Sequence, residues 1–182
     1  MGNPSFPNPD KPAAATLAKA STQFVGFRLA DQEYAFRIEQ IQEIVIPDQV
    51  TRMPQVPDYV EGVCNLRGAI IPVINLRRLF GLEFEERDEE TRMIVANVGT
   101  RIIGCTVDAV TQVMRIDPSQ MQPAPALVKP DGAAYLIGFA KFDERLIVVL
   151  EIDELLSPEK LELVRQTVGQ GLATVDNDVG KT

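Results

Sequence analysis

The side chains able to do chemistry are few in this chain, and most stand alone. It contains no His, which removes the usual general base, every Ser-His or Cys-His pair, and any His metal ligand or phospho-acceptor. Cys64 and Cys105 sit singly in apolar runs and read as reduced, buried thiols of a cytosolic protein. No CxxC motif and no Gly-rich phosphate cradle occurs, and only six Lys are present. The densest cluster is acidic: Glu85, Glu86, Asp88, Glu89 and Glu90 in LEFEERDEET. Such a run can hold a divalent cation weakly, but charge runs are usually solvated faces, so it reads as a connector. Arg67, in the tight turn of NLRG, is a charge suited to pairing and recognition. Nothing here assembles a reaction centre, and no cofactor is expected.

Composition narrows the partners. The 182 residues carry 18 Lys plus Arg against 26 Asp plus Glu, a net charge of −8. That balance opposes binding to phosphate backbones and to anionic lipid. Aromatic residues are 6% of the chain with no Trp, too few for a barrel that stacks single-stranded bases. No run of about 18 apolar residues appears, so no helix spans a membrane. No basic segment leads into an apolar stretch at the start, so no signal peptide is read.

The elements that must position these residues are mostly strands. Residues 1–21 are rich in Pro, Ala and Asn and read as a disordered leader, and 169–182 as a flexible tail. Hairpins are predicted from Gln23–Leu29 with Glu33–Arg37, Val60–Leu66 with Ala69–Ile74, Met93–Val98 with Ile102–Val107, and Phe139–Phe142 with Arg145–Leu150. Short helices fit Leu76–Phe80 and Ile152–Leu156, and a final amphipathic helix fits a start at Pro158. Pro72 cannot donate to a ladder, which predicts an edge or a bulge there.

The pieces repeat. A shift of 69 residues lays Phe24 on Met93, Ile41 on Val110 and Ile44 on Val113. A shift of 76 lays Gly62 on Gly138, Arg67-Gly68 on Asp143-Glu144, and Leu76–Phe80 on Ile152–Leu156. This predicts two copies of one small, roughly five-stranded barrel, each marginal alone and therefore sharing an interface. The expected division is a first subdomain at 24–81, with a helix at 158–168 packing nearby, and a second at 91–156. Residues 82–91 would be the acidic, solvated crossover.

The stretch YVEGVCNLRGAIIPVINLRRLFGL, from Tyr59 to Leu82, reads as strand, Arg-Gly turn, strand and helical turn. It resembles the signature of the CheW family of bacterial chemotaxis coupling proteins, departing mainly by Asn75 where Asp is common. FVGFRLADQEYAFRIEQIQEI and YLIGFAKFDERLIVVLEIDELL support the likeness, which covers roughly 22–165. The resemblance implies a mainly β fold of two packed SH3-like five-stranded barrels, with short helices and a C-terminal helix. It implies a non-enzymatic cytoplasmic scaffold, recruited to membrane-associated arrays, that couples chemoreceptor tips to the regulatory domain of the histidine kinase CheA. An adaptor of a pathway for surface motility or second-messenger control is the alternative within the family.

Two surfaces are expected to carry that role. In the strand QEIVI, alternation puts Ile44 and Ile46 on one face and Glu43 with Val45 on the other, continuing from Ile41. The counterpart in the second copy is Val110, Gln112 and Met114. These stripes fit ordinary core as well as a groove; the family resemblance favours a groove between the barrels that accepts an amphipathic receptor helix. Arg67 would pair with Glu43 at its rim, at a cost of about 3 kcal/mol to break if the pair is buried. By the same resemblance, kinase contact is expected at the second barrel's end, where Phe139, Phe142 and Ile147 flank the Asp143-Glu144 turn. A complementary contact on the first barrel would close a ring.

Overall fold

The computed structural model describes residues 23–125, 135–156 and 159. Among these residues, eleven strands and two short complete α-helices follow in chain order, with 3-10 turns at Ile38–Gln40 and Pro118–Gln120. The first copy of the repeat gives β1 (Gln23–Leu29), β2 (Gln32–Arg37), β3 (Ile41–Val45), β4 (Val60–Leu66), β5 (Ala69–Asn75) and α1 (Leu76–Leu79). The second gives β6 (Arg92–Val98), β7 (Arg101–Val107), β8 (Ala109–Arg115), β9 (Met121–Pro123), β10 (Leu136–Phe142), β11 (Arg145–Leu150) and α2 (Ile152–Leu155). The four predicted hairpins and both short helices form. Of the helix expected from Pro158, all but Glu159 lies outside the described residues, as do the leader and the tail.

The strands assemble into two sheets, ordered β8-β1-β2-β11-β10-β9 and β3-β6-β7-β5-β4. Apart from the three-residue β9, the two orders are the same once each strand is replaced by its repeat counterpart. Neither sheet belongs to one copy, which corrects the contiguous division at 24–81 and 91–156. The β1–β2 hairpin inserts between β8 and β11 of the second copy, with β2 parallel to β11. The β6–β7 hairpin inserts between β3 and β5 of the first, with β7 parallel to β5. Alternation of apolar residues fixes the faces of a strand but not its neighbour, which is why contiguity misled.

Local chemistry explains the turns. Arg67 and Gly68 both have positive φ, 52° and 87°, and so do Asp143 and Glu144, at 47° and 65°. Two-residue turns of this handedness match the twist of paired strands. Gly62 and Gly138 mark a second constraint: a Cβ at either would overlap a backbone carbonyl, of Thr51 in one copy and Gln122 in the other. The chain crosses there at a distance only Gly permits. Pro72 lies inside the sheet, since β5 runs between β7 and β4. It nevertheless occupies a local edge, because β5 meets β7 only from Val73 onward. Its strand partner Val63 exchanges hydrogen bonds with Thr51 at 2.8 and 2.9 Å, so the missing N–H is not called on.

Three apolar clusters result. Phe24, Met114, Ala140, Ile147 and Val149 fill the sheet containing β1, and Cys64, Ile71, Val73, Met93 and Val95 fill the other. Four of these positions correspond by the repeat: Phe24 with Met93, Cys64 with Ala140, Ile71 with Ile147, and Val73 with Val149. The largest cluster, including Phe27, Phe36, Ile74, Ile94, Leu150 and Ile152, lies between the sheets. Each fully buried side chain of this size contributes about 1.5–3 kcal/mol relative to exposure. Tyr34 and Phe80 stack at 5.5 Å between ring centres at its margin, with Tyr135 6.3 Å beyond.

Candidate functional site

Both edge strands that carry the predicted groove are bulged, at the same position of the repeat. In β3, Ile41 pairs with Ala96 and Glu43 with Val95, leaving Gln42 extra. In β8, Val110 pairs with Phe27 and Gln112 with Gly26, leaving Thr111 extra. A bulge flips the alternation. The predicted stripe is therefore split: Ile41 and Val110 pack on the core shared between the sheets. Glu43, Val45 and Gln112 turn to the barrel side, where Val45 packs on the core of its own sheet. Uninterrupted parity was the wrong rule at these two strands.

The flip has a second effect. Ile44 pairs with Ile94, and Val113 with Val25, so each lies on the shared-core side of its sheet. Both are nonetheless open to solvent, 38% and 58% exposed, and Ile46 beyond β3 is 71% exposed. The shared core thus continues outward along each edge strand as exposed apolar surface. Ile44 and Val113 were absent from the expected site, though the 69-residue shift had already matched them.

Arg67 and Glu43 do meet, with Nη2 donating to Oε2 at 2.9 Å. The Arg67 side chain is 78% exposed and that of Glu43 18%. The pair closes the end of the barrel beside Val45 and Leu66. With one partner this exposed it is worth about 0–1 kcal/mol, less than expected for a buried pair. Asn65 Oδ1 accepts the Gly68 amide at 2.9 Å and holds the turn. At the corresponding place in the other barrel, Gln112 and Asp143 form no such ion pair.

At the predicted kinase contact, Asp143 is exposed at the turn and Phe142 is half-buried on its barrel core. Phe139 is half-buried on the opposite face, beside Val148 and Gln122. Ile147 is fully buried and cannot be a contact residue. Strand parity explains the correction: with Ile147 inward, its neighbour Leu146 points out and is 56% exposed. Its repeat counterpart Ile70 is 70% exposed.

The acidic connector is exposed but fastened. Arg77 joins Glu85 at 3.1 Å, Arg28 joins Glu90 at 3.0 Å, and Arg87 joins Glu61. Arg78 sits 4.6 Å over the Phe84 ring. Amides of Glu90 and Thr91, with the Thr91 hydroxyl, donate to Asp88 and hold its carboxyl below the usual range. Beneath lies a polar cleft of about 1060 Å³. Among the described residues, no three potential metal ligands converge. Both cysteines are free and buried, and burial pushes the Cys105 thiol up to about 12.

Comparison with known proteins places this geometry. A family model described as a CheW-like domain matches residues 23–160. The chain is 39% identical over 155 residues to the chemotaxis protein CheW of Klebsiella aerogenes, covering 82% of this chain and 93% of that protein. It is also 39% identical over 137 residues to CheW of Helicobacter pylori, covering 75% and 82%. The crystal structure of the scaffolding protein CheW from Thermoanaerobacter tengcongensis superposes with a TM-score of 0.70 at 32% identity, over 77% of this chain and 95% of that one. With two SH3-like subdomains sharing a core and bulged edge strands at their junction, the chain belongs to the CheW family of chemotaxis coupling proteins.

Proposed function

We propose that this protein is a non-enzymatic adaptor joining the cytoplasmic tip of a chemoreceptor to the regulatory domain of the histidine kinase CheA, and that it works in membrane-associated receptor arrays. The observation that carries the receptor-binding part is the pair Ile44 and Val113. At equivalent bulged edges, the apolar face of the shared core runs out into solvent without a covering element among the described residues. A monomer gains nothing from two such matched exposures, whereas an amphipathic receptor helix laid along the junction would bury them. Ile41 and Val110 would floor that groove, and the Glu43–Arg67 pair, with Gln112 opposite, would supply its polar rim. Kinase contact is assigned to the hairpin end carrying Phe139, Phe142 and Asp143, with Leu146 in place of Ile147.

Calorimetric titration of the full chain against the cognate receptor tip, and separately against the CheW-like domain of the kinase, tests both assignments. Val113→Asp should abolish heat with the receptor tip and leave the kinase titration unchanged. Unchanged binding of both partners by a folded Ile44→Asp/Val113→Asp chain would defeat the groove.

A further inference from the structure

The chain crosses from one sheet to the other at two places, and each crossing leads directly into a groove strand. Gln40 precedes β3, and Asp108 precedes β8. Each is tied to the second residue of a helix, Asp108 to Arg77 of α1 and Gln40 to Asp153 of α2. Arg77 and Asp153 correspond by the 76-residue shift. In both ties a carboxylate also accepts a backbone amide from the hairpin turn of the opposite sheet. Asp108 accepts the Ala30 amide at 2.8 Å, and Asp153 accepts the Gly99 amide at 3.1 Å. Each tie therefore grips both sheets at a crossing.

The two differ in chemistry. Arg77 is buried and donates from Nε to both oxygens of Asp108 at 2.8 Å. It also donates to the Glu83 carbonyl at 2.6 Å and pairs with Glu85. A charge-assisted arrangement of this kind, largely out of water, resists displacement. On the other side, neutral Gln40 Nε2 is shared between Glu151 and Asp153, at 2.9 Å each. Gln40 Oε1 is buried without a partner, as is Nε of the adjacent Arg37, which pairs with Glu151 through Nη1 at 3.1 Å. Unsatisfied buried polar atoms mark a junction held below its capacity.

We propose that these are unequal latches that set how wide the groove stands: Arg77–Asp108 is the fixed pivot, and Gln40–Asp153 the compliant side. Gln40 is then a positioning residue for receptor binding, acting through β3 without touching the ligand. This rests on the groove reading above. Receptor tips would bind the fraction of molecules with the right opening, so widening the distribution lowers apparent affinity in proportion.

The test uses the full chain with spin labels at Ile70→Cys and Leu146→Cys, exposed sites on opposite sheets, while the native cysteines are buried. Pulsed dipolar spectroscopy reads the distance distribution, and calorimetry with the receptor tip and the kinase domain uses the unlabelled chains. Gln40→Ala should broaden the distribution and weaken receptor-tip binding about five-fold, with kinase affinity held within about two-fold. Gln40→Arg, which restores a charged partner for Asp153, should narrow the distribution and bind the tip at least as well as the parent. Identical distributions in all three chains would overturn the latch. Distributions that respond while the parent does not bind the tip would uphold the latch mechanically and overturn the groove.

Discussion

Ile70 and Leu146 stand 76 residues apart at the same place of the repeat, one residue inward from the start of β5 and of β11, and both point large apolar side chains into solvent. Their inward neighbours Ile71 and Ile147 are matched core residues. The two barrels therefore end in similar apolar tips. Leu146→Asp should lower affinity for the kinase domain about ten-fold or more with no change in melting temperature, since the side chain supports no packing. Ile147→Ala should instead cost about 2–5 kcal/mol of stability in urea titrations. The reverse pattern would return Ile147 to the contact.

Arg67→Glu sets two carboxylates against each other where the Glu43 pair now stands. The exposure of Arg67 limits the stability cost to about 1 kcal/mol. Receptor-tip affinity should fall by about ten-fold or more through repulsion and loss of the rim's cation. A folded variant that binds the tip like the parent would remove this pair from the site.

Gly62→Ala and Gly138→Ala should each destabilise the fold by about 3 kcal/mol or more, because the obstructing atoms are backbone carbonyls that cannot swing aside. Gly99→Ala is the control. It adopts φ 61° with nothing near its missing Cβ, so only backbone strain of about 1 kcal/mol is expected. Chemical denaturation of the three variants gives the comparison.

Cys105 keeps its proton in the folded state to about pH 12, because burial disfavours the thiolate, whereas an exposed thiol titrates near 9.0. Its contribution is fully present below pH 9.0 and is lost as pH rises toward 12. Each unit in that window removes about 1.4 kcal/mol. The fall in stability between pH 9 and 11 should be shallower in Cys105→Ala than in the parent. Parallel slopes would show that the thiol does not set it.

Much of this was legible in the sequence. Turn residues and two-residue periodicity located the hairpins, and matched spacing revealed the repeat, because both are local. The Arg67–Glu43 pair was legible through the motif around Arg67. Sheet membership was not, since exchange of the β1–β2 and β6–β7 hairpins leaves every strand's pattern unaltered. The bulges at Gln42 and Thr111 were equally silent: an extra residue in a half-polar strand carries no composition signal, yet it decides which side chains face the groove. Arg77 and Asp108 were missed because a buried ion pair between distant residues looks, in sequence, like two ordinary surface charges. Leu146 could have been found, as the outward neighbour of an inward Ile147, had that strand's phase been fixed by Val149.

The hairpin exchange bears on how such a chain comes to exist. One copy of the repeat leaves a gap between β3 and β5, and the hairpin that fills it is β6–β7 of the other copy. Two separate copies could build the same two sheets by trading hairpins, as an intertwined pair. The arrangement is that of a hairpin-swapped pair, with the connector at 82–91 joining its two halves. During synthesis, the sheet containing β3 must wait for residues 92–107 and the sheet containing β1 for residues 136–150, so each closes only with strands of both copies in place.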